Sequence, residues 1–572
     1  MRAILALLLL AALPAAALAV WSADPQVNLA IADRASDQVV PKIAARAGGG
    51  CYVGWFDLAS GNYDVYLQRL DAGGNEQWSH NGILVSGHAQ DTWITDWDLI
   101  ADSGGGAVLV FADIRAGGDL DVYAYRVSAS GDPLWGADGL ALSVDADFDP
   151  SPRVTETADG DFVVVWGKSP DAGDGKIMMQ RIAPDGTLLL PAGGLAVAGD
   201  AGESPGFPAL VPAGAGDVIV CWVRDMSTYM SPRHLRAERF DAAGASTWGG
   251  PVEVYNETTL PIAYQPEILP DGAGGAVLLW HRYLGGVYNS AVQRLDADGN
   301  ELWPHQGLVV STLGGMYHIS PTFTVDEASG DTYVFWDERN TNQSQWGIAG
   351  QRFDAAGSRL WGASGRSFLP TSPLYLYHLR ALPATGGALL FWIDEPGGYG
   401  NARVRGFRAD NAGNWLWGTE PLGVATLLSG KARLPVASAP DGTALLVWED
   451  DRGGTVDVYG QNVRPDGTLG GDLTAADAPP SPAMTLSAWP NPFNPSTALS
   501  LRLAAPGRAR LSIHDAQGRL LRVLADAEFP AGERTLHWDG RDAAGHALPS
   551  GLYLARVSAA GAALTHKLLL LK

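Results

Sequence analysis

Carboxylates that recur beside arginines are the residues of this sequence with the clearest capacity for chemistry. An acid stands two residues after a repeated aromatic residue at Asp57, Asp113, Glu338, Asp394 and Asp450. An arginine follows closely at Arg115, Arg339 and Arg452. If these groups converge on a central funnel, they could bind a polar ligand or a cation. The alternative is that each acid caps the amides of its own loop and pairs with a nearby arginine, and recurrence in several repeats favours this structural role.

Aromatic residues mark the segments that join successive repeats. They are Trp93, Trp97, Phe148, Tyr264, Tyr317, Tyr375 and Tyr377. Exposed aromatic side chains beside polar groups are suited to sugar or peptide recognition. The competing interpretation is that they cover the core. These segments vary between repeats, which is typical of binding specificity carried on a constant scaffold.

Metal and catalytic motifs are sparse. Asp145, Asp147 and Asp149 form an acidic cluster that could hold calcium, but it lacks the glycine and distal glutamate of an EF-hand loop, so a solvated loop is favoured. Calcium is thus the one cofactor left open. The sequence contains no metal-spaced histidine pair, phosphate-binding glycine loop or nucleophile elbow, and it lacks the Ser-x-Asp-x-Gly-x-Thr-Trp box of sialidases. A hydrolase with paired carboxylates remains open, because their convergence cannot be read from sequence.

Composition narrows the class of protein. The chain has 572 residues, a formal net charge of -23 and 46% hydrophobic residues. This length predicts at least two domains, and the hydrophobic content predicts substantial cores. The negative charge makes nucleic acid an improbable partner. Two cysteines, Cys51 and Cys221, exclude a disulfide scaffold and are interpreted as buried small hydrophobes.

The N-terminus has the pattern of a cleaved export signal. Arg2 precedes an apolar run from Ile4 to Leu13, and Ala17 and Ala19 provide small residues at a peptidase site. We therefore predict a signal peptide over residues 1–19 and a secreted or outer-cell-surface protein. The apolar run is too short to span a bilayer comfortably, and no later run approaches that length.

Eight internal repeats dominate the rest of the chain. An aromatic residue recurs at intervals of 55 to 58 residues, at Trp55, Phe111, Trp166, Trp222, Trp280, Trp336, Trp392 and Trp448. A basic column stands at Arg69, Arg126, Arg181, Arg239, Arg294, Arg352 and Arg408, and a glycine follows each five residues later. Each repeat contains four strand signals separated by turn residues. Tandem four-stranded units of this size are typical of β-propeller blades.

Closure of the repeats can also be predicted. The eighth repeat loses its pattern after Gly467, whereas Trp21 and the run Val27 to Ile31 have the register of its missing strand. The fold class predicted is therefore all-β: an eight-bladed propeller over residues 20–471, closed by an N-terminal strand. Residues 472–484 are predicted to be a linker, and residues 485–572 an Ig-like β-sandwich.

The C-terminal segment carries a family resemblance. Its motifs are Asn491-Pro492-Phe493-Asn494-Pro495, Trp538-Asp539-Gly540, Gly551-Leu552-Tyr553 and a terminal run from Lys567. This segment resembles the C-terminal sorting domains of type IX secretion cargo and, equally, the Ig-like domain of flagellar hook-capping proteins. The resemblance implies a partner in the secretion or sorting machinery, and it does not identify the activity of the cargo.

Three functions follow from these patterns. The first is an exported binding protein, rather than an enzyme, whose propeller presents a face to a glycan or protein ligand while the C-terminal module routes or tethers it. The second is an exported glycan-active hydrolase that uses the propeller funnel, which requires two carboxylates in one pocket with one perturbed pKa. The third is an envelope scaffold without a small ligand.

Overall fold

The protein consists of β-strands throughout the part described by its computed structural model. The described residues are 20–90, 96–170, 173–225, 232–261, 265–471, 484–489, 491, 493–503, 507–515, 518–530, 532–559 and 562–571. Contacts divide the chain into two units, Met1–Gly471 and Asp472–Lys572. Among the described residues, no helix is long and apolar enough to cross a membrane. The predicted signal peptide and nearly all of the predicted linker lie outside these ranges.

Eight small antiparallel sheets make up the first unit. Sheet 1 contains β2 (Gln38–Ala45), β3 (Cys51–Asp57), β4 (Asp64–Leu70) and β5 (Ile83–Ser86), and it is preceded by β1 (Leu29–Ala32). Sheet 2 contains β6 (Asp98–Ala101), β7 (Ala107–Asp113), β8 (Asp121–Val127) and β9 (Leu140–Ala141). Sheet 3 contains β10 (Arg153–Glu156), β11 (Phe162–Lys168), β12 (Lys176–Ile182) and β13 (Leu195–Ala198). Sheet 4 contains β14 (Gly206–Pro212), β15 (Val218–Arg224), β16 (His234–Phe240) and β17 (Val252–Tyr255).

The same order of strands continues in the second half of the unit. Sheet 5 contains β18 (Glu267–Pro270), β19 (Ala276–Leu284), β20 (Val287–Leu295) and β21 (Leu308–Val309). Sheet 6 contains β22 (Met316–Asp326), β23 (Asp331–Asn340), β24 (Trp346–Phe353) and β25 (Arg366–Ser372). Sheet 7 contains β26 (Leu376–Ala384), β27 (Gly387–Asp394), β28 (Ala402–Asp410) and β29 (Leu422–Ser429). Sheet 8 contains β30 (Lys431–Ala432), β31 (Val436–Ser438), β32 (Ala444–Asp450) and β33 (Asp457–Val463).

The chain's first strand belongs to its last sheet. Strand β1 pairs antiparallel with β33, with Leu29 opposite Gly460 and Ala32 opposite Val458. The side chains of Trp21, Leu29 and Ile31 are buried in one cluster with residues of sheets 1 and 8. Strand β2 of sheet 1 also packs against β32. Sheets 1 and 8 are therefore neighbours, and successive four-stranded sheets of this kind are a propeller architecture.

Repeated tryptophans and arginines link each sheet to the next. The indole N–H groups of Trp248 and Trp303 donate to the carbonyls of Ala297 and Ala355, which lie in the third hairpin turn of the following sheet. Arg239 donates to the same Ala297 carbonyl. The repeated glycine of that turn has a positive φ, and the indole of the preceding sheet packs directly on it. These contacts explain why arginine, glycine and tryptophan recur in register.

The second unit is a two-sheet sandwich. One sheet has the order β34 (Met484–Trp489), β35 (Thr497–Leu503) and β38 (Gly532–Trp538). The other has the order β37 (Leu520–Phe529), β36 (Gly507–Asp515), β39 (Gly551–Ala559) and β40 (Ala562–Leu570). Its core contains buried Phe493, Leu501, Ile513, Trp538 and Tyr553. The predicted sandwich strands are present, and β34 is an additional strand that begins at Met484, the last residue of the predicted linker.

Candidate functional site

One cavity of about 1150 Å³ is lined by residues from or directly beside the first strand of all eight sheets of the first unit. In each sheet this strand precedes the strongly buried second strand, so it is the edge strand on the side of the cavity. A single cavity reached by the first strands of successive sheets has the position of a propeller's central channel, and we call it the channel. Channels and clefts of this size are where ligands bind in such folds.

Two rings of side-chain positions line this channel. The first ring consists of Val40, Asp96, Ser151, Phe207, Gln265, Ser320, His378 and Arg433, all of which except Ser151 line the cavity. The second ring stands two residues later and consists of Lys42, Asp98, Arg153, Ala209, Glu267, Thr322, Arg380 and Pro435, all of which line the cavity. These positions lie on the first strand of each sheet or directly beside it, which places both rings along the channel.

The residues of the first ring lie where the backbone of the first strand is irregular. The register of the first strand shifts across this position in sheets 1, 4, 6 and 7. Six ring residues have a left-handed backbone with φ between 47° and 57°: Val40, Ser151, Phe207, Ser320, His378 and Arg433. This conformation is unfavourable for residues other than glycine and occurs at β-bulges that redirect side chains. The neighbouring sheet supports it, because Glu449 accepts the Val40 N–H at 2.8 Å and His281 accepts the Ser320 N–H at 2.7 Å.

The charges contributed by sheets 1 to 3 neutralise one another. The Asp96 carboxylate lies 2.9 Å from the Lys42 ammonium and 2.5 Å from the Arg153 guanidinium. Although burial acts in the opposite direction, Arg153 and Lys42 lower the pKa of Asp96 to about 2. The Asp98 carboxylate accepts the Val154 N–H at 3.1 Å. This side of the channel is therefore a closed ion-pair network.

The opposite side carries titratable groups that are less fully paired. Desolvation by the channel walls raises the pKa of Glu267, and Arg380 opposes this rise. Burial, with Arg380 and Arg433 acting in the same direction, lowers the pKa of His378 to about 4. Arg380 is thus the charged neighbour that Glu267 and His378 share. The arrangement places a carboxyl of raised pKa and an imidazole of lowered pKa in one channel. Pairs of groups with opposite pKa shifts serve general acid–base chemistry.

A row of aromatic rings leads to this side of the channel. The ring centroid of Tyr375 lies 5.2 Å from that of Trp346 and 5.1 Å from that of Tyr377. The Tyr377 ring in turn lies 5.2 Å from the His378 imidazole. Tyr375 is 40% exposed, so the row presents ring surface to solvent beside the channel. Exposed aromatic faces beside polar groups are suited to stacking against sugar rings.

The recurring acids lie elsewhere. Asp57, Asp113, Asp394 and Asp450 are the buried last residues of second strands and do not line the channel. They bind arginines or local groups: Asp113 pairs with Arg115, Asp394 with Arg403, and Asp450 with both Arg452 and Lys431, while Asp57 accepts the Ala59 N–H. In the sixth repeat the Arg339 partner is Asp337, and Glu338 approaches His318 at 3.8 Å. The contacts of these acids are therefore local, as the capping interpretation expects, and ligand binding by them stays a prediction.

The structure places the predicted aromatic residues in different environments. Tyr375 and Tyr377 line the channel, as does Arg339 from the acid column. Trp97 is fully buried, and its indole donates to the Val40 carbonyl at 2.9 Å, so it belongs to the core and not to a binding face. The Tyr317 ring packs edge to face with the Tyr288 ring and does not line the channel. Trp93 and Tyr264 lie outside the described residues.

The weak calcium cluster is occupied by a lysine. The Lys168 ammonium contacts the carboxylates of Asp145 and Asp147, the latter at 3.0 Å. Asp149 is fully buried nearby. Among the described residues, no group of three or more acidic, histidine or cysteine side chains is arranged to hold a metal ion.

Residues of the C-terminal motif fasten the sandwich to its own last strand. The Asn491 amide donates to the Lys567 carbonyl at 2.7 Å and accepts the Leu569 N–H at 2.8 Å. Phe493 is buried and forms a bridge with Leu570, and the peptide from Asn494 to Pro495 is cis. Gly551 begins β39 opposite Leu570, and the Tyr553 hydroxyl donates to the Pro549 carbonyl. Pro492 lies outside the described residues. These contacts give the motif a structural role inside the domain.

Sequence reasoning missed the residues of the two channel rings. Their types differ from sheet to sheet, so no residue column marks them. A weaker signal does exist: a proline follows the first ring position in five repeats, at Pro41, Pro152, Pro208, Pro266 and Pro321, and the position lies 14 to 16 residues before the repeated aromatic. Proline in a strand indicates an edge or a bulge, which is what the structure has there.

Comparisons with known proteins match one domain of the chain and find solved structures of low similarity to the rest. Residues 491–563 match the family model of the FlgD Ig-like domain. A comparison with curated protein sequences finds no match. Solved structures similar to this chain include an ulvan lyase of polysaccharide lyase family PL25 bound to -[GlcA(1-4)Rha3S]-, with 9% identity, a TM-score of 0.40, and coverage of 77% of this chain and 97% of that chain.

Two further structures have the same level of similarity. The α-L-arabinofuranosidase of Fusarium graminearum in complex with an iminosugar inhibitor is 10% identical, with a TM-score of 0.34 and coverage of 66% of this chain and 94% of that chain. An α-L-arabinanase of Penicillium chrysogenum complexed with arabinobiose is 12% identical, with a TM-score of 0.33 and the same coverage. At such identities and TM-scores, the arrangement of this chain's own residues must carry any statement about its function.

Proposed function

We propose that the first unit is a glycan-active enzyme whose site is the central channel on the side of sheets 5 to 8. The observation that carries this proposal is the continuity from the aromatic row Trp346, Tyr375 and Tyr377 to the titratable groups Glu267 and His378. Aromatic faces would bind sugar rings, and the channel would hold the scissile bond beside Glu267 and His378. A protein with a purely architectural role has no need for this arrangement.

Glu267 is the proposed general acid. Its raised pKa favours the protonated carboxyl, whereas the lowered pKa of Asp96 keeps that second channel carboxylate ionised. Opposite shifts of this kind separate proton donors from proton acceptors in glycan-active sites. His378, neutral because of burial and the two arginines, is the proposed proton acceptor. Arg380 is the charged neighbour of both groups and helps set their pKa values.

Turnover of a carbohydrate tests the proposal directly. Purified protein should be incubated with a panel of polysaccharides while reducing ends and the ultraviolet absorbance of unsaturated products are measured. Glu267→Gln should lower activity about 100-fold or more, since a general acid contributes that much. Glu327→Gln, at an exposed turn of sheet 6, is the matched control and should leave activity unchanged. Wild-type activity should fall as the pH rises through the raised pKa of Glu267.

Binding without turnover is the second candidate function. It is favoured by the aromatic row, which needs no reaction to explain it. If a glycan binds the channel and neither reducing ends nor unsaturated products appear, the protein is a glycan-binding protein. If no glycan binds, both candidates are refuted.

The architecture and destination of the chain complete the proposal. We propose that the eight sheets form a closed eight-bladed ring, which the pairing of β1 with β33 supports. We further propose that residues 1–19 export the chain and that residues 485–572 act as a type IX sorting or surface-attachment module. Deletion of residues 485–572 should abolish surface delivery, and unchanged delivery would refute the sorting role. If the cluster of Asp145, Asp147 and Asp149 binds calcium, added calcium should raise the melting temperature of the protein.

A further inference from the structure

We propose that the carbohydrate recognised by the channel is anionic and that Arg380 and Arg433 hold its carboxylate or sulfate groups. This inference rests on the proposed function and adds the chemical class of the substrate. It is carried by the charges of the channel and by the backbone that positions them.

The charge of the channel is opposite in sign to that of the protein. The chain as a whole has 39 lysines and arginines against 62 aspartates and glutamates. The channel is lined by five cations, Lys42, Arg153, Arg339, Arg380 and Arg433, against three carboxylates, Asp96, Asp98 and Glu267. A polyanion would be repelled by most of the surface and attracted into the channel, where low-dielectric walls focus the field.

The excess cations lie on one side. Lys42 and Arg153 are satisfied by Asp96, so sheets 1 to 3 have no spare positive charge. Arg339 is similarly held by Asp337 at 2.5 Å. Among the described residues, Arg380 has no carboxylate within ion-pair distance, and its guanidinium donates only to the Leu379 carbonyl. Its remaining donors are available to a ligand.

Arg433 is the second cation on this side. Its side chain is 53% exposed, and its Nε lies 3.0 Å from Glu449. Glu449 also accepts the Val40 N–H, so its charge is shared between two donors. The terminal nitrogens of Arg433 therefore remain free to bind a planar carboxylate or a sulfate, which guanidinium groups do in a bidentate manner.

The backbone fixes both cations in the channel. Arg433 has φ of 47° and His378, two residues before Arg380, has φ of 53°. Left-handed backbone in a residue other than glycine is strained, and strain of this kind clusters at ligand-binding sites. The positive charges of Arg380 and Arg433 both act on His378 and help to keep its imidazole neutral. An anionic sugar would supply a counter-charge to Arg380, which has no carboxylate within ion-pair distance among the described residues.

Matched polymers test the charge requirement. Binding should be measured by calorimetry for polygalacturonate against its methyl ester, and for dextran sulfate against dextran. We expect the charged member of at least one pair to bind and its neutral twin to bind at least tenfold more weakly. A difference within the polygalacturonate pair indicates a carboxylated ligand, and a difference within the dextran pair indicates a sulfated ligand. Binding should also weaken as sodium chloride is added.

Variants locate the binding site. Arg380→Ala and Arg433→Ala should each weaken binding about 10- to 100-fold, the usual effect of losing a charged hydrogen bond. Lys176→Ala, which removes an exposed cation on the third strand of sheet 3, is the matched control and should have no effect. Arg380→Lys preserves the charge and should recover part of the affinity. Thermal unfolding of each variant checks that it is folded.

The outcomes separate this inference from the proposed function. If neutral and charged twins bind equally, or if Lys176→Ala is as harmful as Arg380→Ala, the anionic substrate is refuted while a glycan site stands. If none of the four polymers binds, the anionic substrate is refuted, and a neutral glycan that is turned over would still support the proposed function.

Discussion

Asp149 and Asp121 are two fully buried carboxyls that set a pH dependence of stability. Burial raises the pKa of Asp149 to about 7 and that of Asp121 to about 6. The Asp145 carboxylate adds to both shifts, although its backbone N–H opposes the shift of Asp121. Ser143 and Lys168 oppose the shift of Asp149. The native state therefore binds protons that the unfolded chain has already lost above its ordinary pKa near 3.8.

The sign of the effect follows from this difference in proton binding. Because the native state holds more protons, stability falls as the pH rises from about 4 to about 7. Asp149→Asn removes one of the two groups, and we expect it to raise the melting temperature by about 2 °C or more at pH 8 while having less effect at pH 5. Thermal unfolding at both pH values, followed by circular dichroism, measures this difference.

A neighbouring aspartate provides the control. Asp147 also contacts Lys168, at 3.0 Å, but it is partly exposed. Asp147→Asn should remove a favourable ion pair and give no stabilisation at pH 8. If the melting temperatures of the Asp149→Asn and Asp147→Asn variants depended on pH in the same way, burial of Asp149 would not be the cause of the pH dependence of stability.

At the scale of the element, the repeated glycine and tryptophan form one packing unit. A Cβ at Gly299 would lie 2.7 Å from the Trp248 ring, and Gly299 has φ of 83°. Gly299→Ala should therefore destabilise the first unit through backbone strain and a clash between sheets 4 and 5. We expect a loss of at least about 2 kcal/mol in the free energy of unfolding, measured with denaturant.

A second glycine of the same sheet separates the two causes. Gly286, in the hairpin between β19 and β20, has φ of 84°, and a Cβ added there would meet no described atom within 4 Å. Gly286→Ala thus carries the backbone strain without the clash, and it should cost about 1 kcal/mol. Equal losses for the two variants would contradict the assignment of Gly299 to packing between sheets.

The contact between the repeated glycine and tryptophan explains which features of the fold and of the channel could be predicted from the sequence. Gly299 and Trp248 recur in register because every sheet meets the next in the same way, so the repeats, their strands and the closing strand could be read from spacing. The channel positions Glu267 and Arg380 have no such constraint, because each lines the channel and its residue type is not fixed by packing against the next sheet. The recurring acids are easy to find in the sequence because they do repeat. Asp113 and Asp450 form the same kind of local contact in their sheets, and a contact needed in several sheets recurs in several repeats.

At the scale of the whole molecule, each unit has its own core. The buried cluster around Trp538 and Tyr553 contains only residues of the second unit, and the clusters of the first unit contain none of them. Independent cores predict that a chain ending at Gly471 unfolds at the same temperature as the first unit does within the full chain. A substitution in the first unit should therefore change the melting temperature of this truncated chain as much as it changes that of the first unit in the full chain.

The pairing of β1 with β33 brings the two ends of the first unit together in one sheet. Strand β1 supplies Leu29 and Ile31, and the preceding segment supplies Trp21, all buried against sheets 1 and 8. Removing residues 20–32 should destabilise the first unit by at least about 3 kcal/mol, because burial of each large apolar side chain contributes about 1.5–3 kcal/mol. It also leaves β33 with an unpaired edge, and such edges associate with other chains. Thermal unfolding and size-exclusion chromatography should show a lower melting temperature and oligomers. A monomer with unchanged stability would mean that the eight sheets are held together without their closing strand.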